Sequence, residues 1–91
     1  MGLFWTAEAD GEMSALERGR VESPLLFAVR RALAHLELDP HDPRLATRVF
    51  ATKGLGHVRA TPTNSGDWYI LWQSGPTQGA ITILHVIELP V

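Results

Sequence analysis

The stretch Trp68-Tyr69-Ile70-Leu71-Trp72-Gln73-Ser74-Gly75-Pro76-Thr77-Gln78-Gly79-Ala80-Ile81-Thr82-Ile83-Leu84-His85-Val86-Ile87 decides the architecture. Two apolar runs, Trp68 to Trp72 and Ala80 to Ile87, flank the turn-forming segment Gly75 to Gly79, and their aromatic and β-branched content predicts a β-hairpin. Strand side chains alternate, so Ile81, Ile83, Ile87 and Leu89 are expected on one side of the second strand, with Leu84 and Val86 on the other. In the first strand Trp68 and Trp72 share a face and Tyr69 takes the opposite one. If Trp68, Trp72, Ile81 and Ile83 pack on a helix, then Tyr69, Leu71, Leu84 and Val86 face away. Covering that second group requires the N-terminal segment or another copy of the chain, which makes these four the expected interface residues and a homodimer the expected assembly.

Upstream of the hairpin, Ser23-Pro24 is a helix start, with serine as N-cap and proline at the first helical position. From Leu25 to Leu38 the residues Leu25, Leu26, Val29, Ala32, Leu33 and Leu36 recur at three- and four-residue spacing, so a helix is predicted over 24–38. Asp39-Pro40-His41-Asp42-Pro43 ends it, because neither proline nor the residue before it continues a helix. Ala46 to Thr52 and His57 to Thr61 read as strands around Lys53-Gly54-Leu55-Gly56, and Pro62 to Gly66 as a polar turn. The N-terminal residues admit two readings. Leu3 to Trp5 forms a strand and Thr6 caps a helix from Ala7 to Arg18, or Asp10-Gly11 is the tight turn of a hairpin. The helix is the preferred reading, although Gly11 weakens it. The fold class is therefore α+β: a single domain over 1–91, one long helix and a shorter N-terminal one, packed on an antiparallel sheet of about four strands.

Composition narrows the functions. With 91 residues, 45% of them hydrophobic and 20% charged, the chain resembles an ordinary small globular domain. It has no cysteine, which excludes disulfides, thiolate metal sites and cysteine nucleophiles and suits a reducing cytoplasm. No apolar window approaches the length of a membrane span, so no membrane association is expected. Met1-Gly2-Leu3-Phe4-Trp5-Thr6 fits the bare myristoylation pattern, but no polybasic stretch follows to supply a second membrane signal. Charge is uneven. Residues 1–42 hold eight acids and four bases, a net of −4, whereas Arg44, Arg48, Lys53 and Arg59 outnumber Asp67 and Glu88 in the remainder, a net of +2. The predominance of arginine over lysine fits a GC-rich bacterial genome.

Trp5-Thr6-Ala7-Glu8-Ala9, Asp42-Pro43-Arg44 and Gly66-Asp67-Trp68-Tyr69-Ile70-Leu71-Trp72 together resemble the RelE/ParE superfamily of bacterial toxins. They match, respectively, the opening strand and helix start, the helix-to-sheet junction, and the aromatic strand of those proteins. The resemblance implies a strand, two helices and an antiparallel sheet, an antitoxin partner, and in some members ribosome-dependent cleavage of messenger RNA. Two departures fall where catalysis would reside. Tyr69 stands where such toxins usually carry an arginine, and the sequence ends at Glu88-Leu89-Pro90-Val91 where they continue into a basic or histidine-bearing tail. The mRNA-cleaving members are generally strongly basic, whereas the pI here is about 6.0.

An RNase would need a base for the ribose 2′-hydroxyl, an acid for the leaving oxygen and cations for the phosphate. By the resemblance, Arg59 matches a phosphate-binding position. His57 shares its strand face, Lys53 and Arg48 lie nearby, and His85 could supply an acid or base near working pH. A histidine within an Ile/Leu/Val strand is more often a packing residue, and no catalytic set is assembled by sequence alone. Asp39, His41 and Asp42 offer metal donors, but their prolines mark a rigid turn, so no metal or cofactor is expected. Lys53-Gly54-Leu55-Gly56 lacks the remaining elements of a phosphate loop, and Ser14, Ser23, Ser65 and Ser74 lack a nucleophile-elbow context. The expected function is protein association, as a homodimer or another assembly. The alternative is a toxin-like protein that binds an antitoxin and acts on RNA at the ribosome.

Overall fold

The structure, a computed structural model, describes residues 3–19, 24–54 and 56–89. The chain runs β1 (Leu3–Trp5), α1 (Ala7–Gly19), α2 (Pro24–Leu38), a single 3-10 turn (Pro43–Leu45), β2 (Arg48–Thr52), β3 (Gly56–Pro62), β4 (Trp68–Ser74) and β5 (Ile81–Glu88). The strands form one sheet in the order β1-β5-β4-β3-β2. Strands β2 to β5 pair antiparallel as the sequence implies, but β1 joins the edge of β5 in parallel, giving five strands in a mixed sheet rather than about four antiparallel ones. A three-residue strand carries too little periodic signal to announce its pairing.

Both helices pack on one face of this sheet. Ala9 of α1 and Val29, Ala32, Leu33 and Leu36 of α2 form one buried cluster with Leu45, Ile70, Trp72, Ile81, Ile83 and Val86. Trp68 packs partly buried against it, so Trp68, Trp72, Ile81 and Ile83 meet the helices as the alternation requires. The Trp72 indole keeps its polar end satisfied inside this core. Its Nε1–H donates to Thr61 Oγ1 at 2.9 Å, and Thr61 in turn lies 2.7 Å from Thr47 Oγ1.

Helix α1 forms despite Gly11 because its start is well capped, which decides against the Asp10-Gly11 hairpin. The Ala9 N–H donates to Thr6 Oγ1 at 3.1 Å, while the same hydroxyl donates to the Leu84 carbonyl at 2.9 Å and ties the helix start to β5. Helix α2 occupies the predicted residues. Its expected cap, Ser23, lies outside the described residues.

Two sequence expectations need correction. Ala46 is not a strand residue: it caps the 3-10 turn in the left-handed region, at φ 54°, and its N–H donates to the Pro43 carbonyl at 3.1 Å. Strand β2 consequently starts two residues later. The second correction concerns faces. Leu71 pairs with His85 and Trp72 with Ile83, so Leu84 is an extra residue in β5 and the strand carries a bulge. Beyond it the alternation is inverted. Val86, expected to face away from the helices, is 1% exposed and packs opposite Ile70 in the core. Ile87, expected in the core, pairs with Tyr69 on the opposite face.

Candidate functional site

The five-stranded sheet presents two distinct surfaces. On the helix side the pairs Arg59–Trp72 and Val49–Arg59 put Arg59 beside the buried indole at the margin of helix cover. The guanidinium carbon lies 5.5 Å from the Trp72 ring centroid, a cation–π contact that orients the side chain. His57 follows on the same face by alternation, opposite Ala51, and is exposed. Lys53 is exposed in the turn between β2 and β3. Arg48 pairs with Ala60 and therefore projects from the other face.

His85 is placed apart from this group. It lies on β5, separated from β3 by β4, and on the face opposite Arg59. Its Nδ1 sits 3.2 Å from a carboxylate oxygen of Glu12 on α1, and the other Glu12 oxygen accepts the Val86 N–H at 3.0 Å. Glu12 thus covers backbone that β1 is too short to reach. Acid–base catalysis requires the participating groups within hydrogen-bond reach of one reacting centre. Of the five residues singled out by sequence, the fold brings Arg59 and His57 to one strand face, leaves Lys53 at the adjoining turn, turns Arg48 to the other face and sends His85 elsewhere.

A charged cluster lies just after the end of α2, in the turn that carries the metal-donor candidates Asp39, His41 and Asp42. Asp42 Oδ1 accepts the Arg44 N–H at 2.9 Å, Oδ2 accepts Arg44 Nη2–H at 2.7 Å, and His35 Nε2 lies 2.8 Å from Oδ2. The guanidinium of Arg44 first, then its backbone N–H and His35, hold the Asp42 carboxyl far below the usual carboxylate range. The same partnership raises the Arg44 pKa. Both carboxylate oxygens are occupied in shaping the turn, and no group of metal donors occurs among the described residues. Beside this cluster Phe27, Arg31, His35, Arg44, Pro62 and Asn64 line an open groove of about 240 Å³. Sequence could not show it, because it joins α2 to the loop after β3.

The sheet face away from the helices carries Tyr69, Leu71 and Ile87, with Leu84 and His85 together opposite Leu71 at the bulge. Tyr69, Leu71, Leu84 and Ile87 are half-buried by their neighbours, and among the described residues no helix or strand lies over them. Phe4, on the same face through its pairing with Thr82, is 46% exposed. Three of the four expected interface residues are therefore on this face, and Ile87 replaces Val86. Strand β2 contributes two further exposed apolar side chains, Phe50 on this face and Val49 on the helix side.

No protein-family model matches the sequence, and no curated protein matches it. Among solved structures, the fold is similar to that of a YoeB/ParE toxin from Agrobacterium tumefaciens, with a TM-score of 0.78 over 99% of this chain and 100% of the toxin at 7% sequence identity. The resemblance in motifs is thus matched by a resemblance in fold extending over nearly the whole chain. No helix among the described residues is long and apolar enough to cross a membrane.

Proposed function

We propose that this chain is a toxin-type protein that works through protein association, with the uncovered sheet face as the surface for an antitoxin-type partner. The observation that carries the reading is the group Tyr69, Leu71, Leu84 and Ile87, half-buried and left without a covering element by two helices that both choose the other face. Contiguous apolar surface of this kind marks interaction sites in soluble proteins. The whole-length likeness to a toxin supports the choice of partner class. RNA cleavage is not part of the proposal, because His85 and Arg59 occupy opposite faces and His85 is engaged by Glu12.

Expression of the chain alone in a bacterial host should slow growth, and co-expression of the protein encoded beside it should restore growth and yield a stable complex. Leu71→Glu should abolish that complex while leaving the circular dichroism spectrum unchanged. Arg59→Ala should leave the growth phenotype intact. Normal growth together with no complex would overturn the proposal, and relief of arrest by Arg59→Ala would return cleavage chemistry to consideration in its place.

A further inference from the structure

Strand β2 is an edge with nothing against its outer side among the described residues, and all five of its residues are exposed. Val49 is 54% and Phe50 49% exposed, and the strand contains neither proline nor bulge. Natural sheets usually blunt such an edge, because its free N–H and C=O groups template pairing with another strand. Here the sequence Arg48-Val49-Phe50-Ala51-Thr52 is also compatible with itself when reversed. Laid antiparallel about Phe50, a second copy sets Val49 against Ala51 on one face. On the other it sets Phe50 against Phe50 and Arg48 against Thr52. No cation then opposes a cation directly. The Thr52 hydroxyl, which donates to the Gly56 carbonyl at 2.8 Å, keeps lone pairs free to accept from the guanidinium of the facing Arg48.

We infer that β2 is a self-association strand, pairing with β2 of a second copy across a two-fold axis at Phe50 to give one continuous ten-stranded sheet. A two-fold seam closes both free edges at once and leaves no template for further growth. The two Arg48 side chains start about 14 Å apart along and across the seam, given a rise of about 3.4 Å per residue, which exceeds the screening length of about 8 Å at physiological salt. Lys53 of one copy nevertheless approaches Arg48 of the other at each end. Self-association should therefore strengthen as salt rises. An acidic strand from a different protein would show the opposite response. The inference stands apart from the antitoxin reading, which uses the sheet face rather than its edge.

Sedimentation of the purified chain at micromolar concentration should give a dimer that tightens severalfold from low to high salt. Phe50→Lys, which opposes two cations on the axis, should yield a monomer with an unchanged far-UV circular dichroism spectrum. Should that variant misfold, a cross-link decides. The chain has no cysteine, so Phe50→Cys introduces one thiol per copy at directly opposed positions, and mild oxidation should produce a covalent dimer. Ala51→Cys should not, because its two Cα atoms would lie about 8 Å apart, beyond the roughly 7 Å a disulfide spans. A monomeric parent protein, a dimer that loosens with salt, or equal cross-linking at both positions would overturn the inference. A monomer that still forms the antitoxin-type complex would overturn this inference alone.

Discussion

The bulge at Leu84 exchanges the environments of two neighbouring side chains, and their truncation measures the exchange. Val86 is 1% exposed and packs opposite Ile70, itself fully buried, under the helices. Val86→Ala removes two methyl-sized groups, about 1.6 kcal/mol at about 0.8 kcal/mol per methylene. The cavity left in a close-packed core raises the loss to about 2.5 kcal/mol. For a chain this short, with an unfolding entropy near 2.1 cal/mol/K per residue, that lowers the melting temperature by about 13 °C. Ile87 is half-buried on the uncovered face, so Ile87→Ala loses about half the transfer energy of its three carbons and leaves no enclosed cavity. Its cost should be about 1 kcal/mol. Urea denaturation and thermal melts of the two variants, followed by circular dichroism, give the comparison. Unbroken alternation along β5 predicts the reverse order, so a larger loss for Ile87→Ala than for Val86→Ala would refute the bulge and the face assignments that depend on it.

Asp42→Asn should weaken the fold at pH 7 by removing the carboxylate that binds Arg44 and His35. Because the folded-state pKa of Asp42 lies below its unfolded value of about 3.9, the contribution is complete above about pH 5 and disappears as acid protonates the group. Denaturation at a series of pH values should therefore show parent and variant converging as the pH falls, and a gap independent of pH would contradict that role. Thr6→Ala removes both the cap of α1 and the bond to the Leu84 carbonyl, and should cost about 1–2 kcal/mol. Thr6→Ser keeps the hydroxyl and should recover most of it; equal melting temperatures for the two variants would show that the hydroxyl contributes nothing.

Local signals made most of the elements legible and long-range ones did not. Helix α2 was readable because its apolar spacing and the prolines after it agree. The hairpin was readable because two β-branched and aromatic runs enclose a turn. The bulge was not, since inserting Leu84 changes no residue type and shows only when β5 is laid against β4. The same holds for Glu12. On α1 it reads as one of several exposed acids, and its role emerges only when the helix start lies beside a stretch of β5 that β1 does not cover. In the candidate site, Arg59 and His57 share a face because two residues apart on one strand is a local fact. Whether His85 joined them depended on strand order and on the bulge, and both sent it away.

The two edges of the sheet are treated unequally, and the contrast carries the assembly argument. At one edge β1 is only three residues long, and where it stops the chain supplies substitutes. The Thr6 N–H donates to the Ile83 carbonyl at 3.1 Å, the Thr6 hydroxyl to the Leu84 carbonyl at 2.9 Å, and Glu12 accepts the Val86 N–H at 3.0 Å. Three backbone groups of β5 are thereby satisfied by α1 and its approach. At the other edge β2 runs five residues with its aromatic and β-branched side chains half in water and no comparable cover among the described residues. A fold able to cap one edge with two polar side chains has the means to blunt the other with proline, a bulge or an inward charge. Strand β2 instead combines an unbroken ladder with β3, a neutral Val-Phe-Ala centre and cations held to its ends. That pattern keeps pairing specific in register while leaving the central backbone available, which is what a strand meant to meet another strand requires.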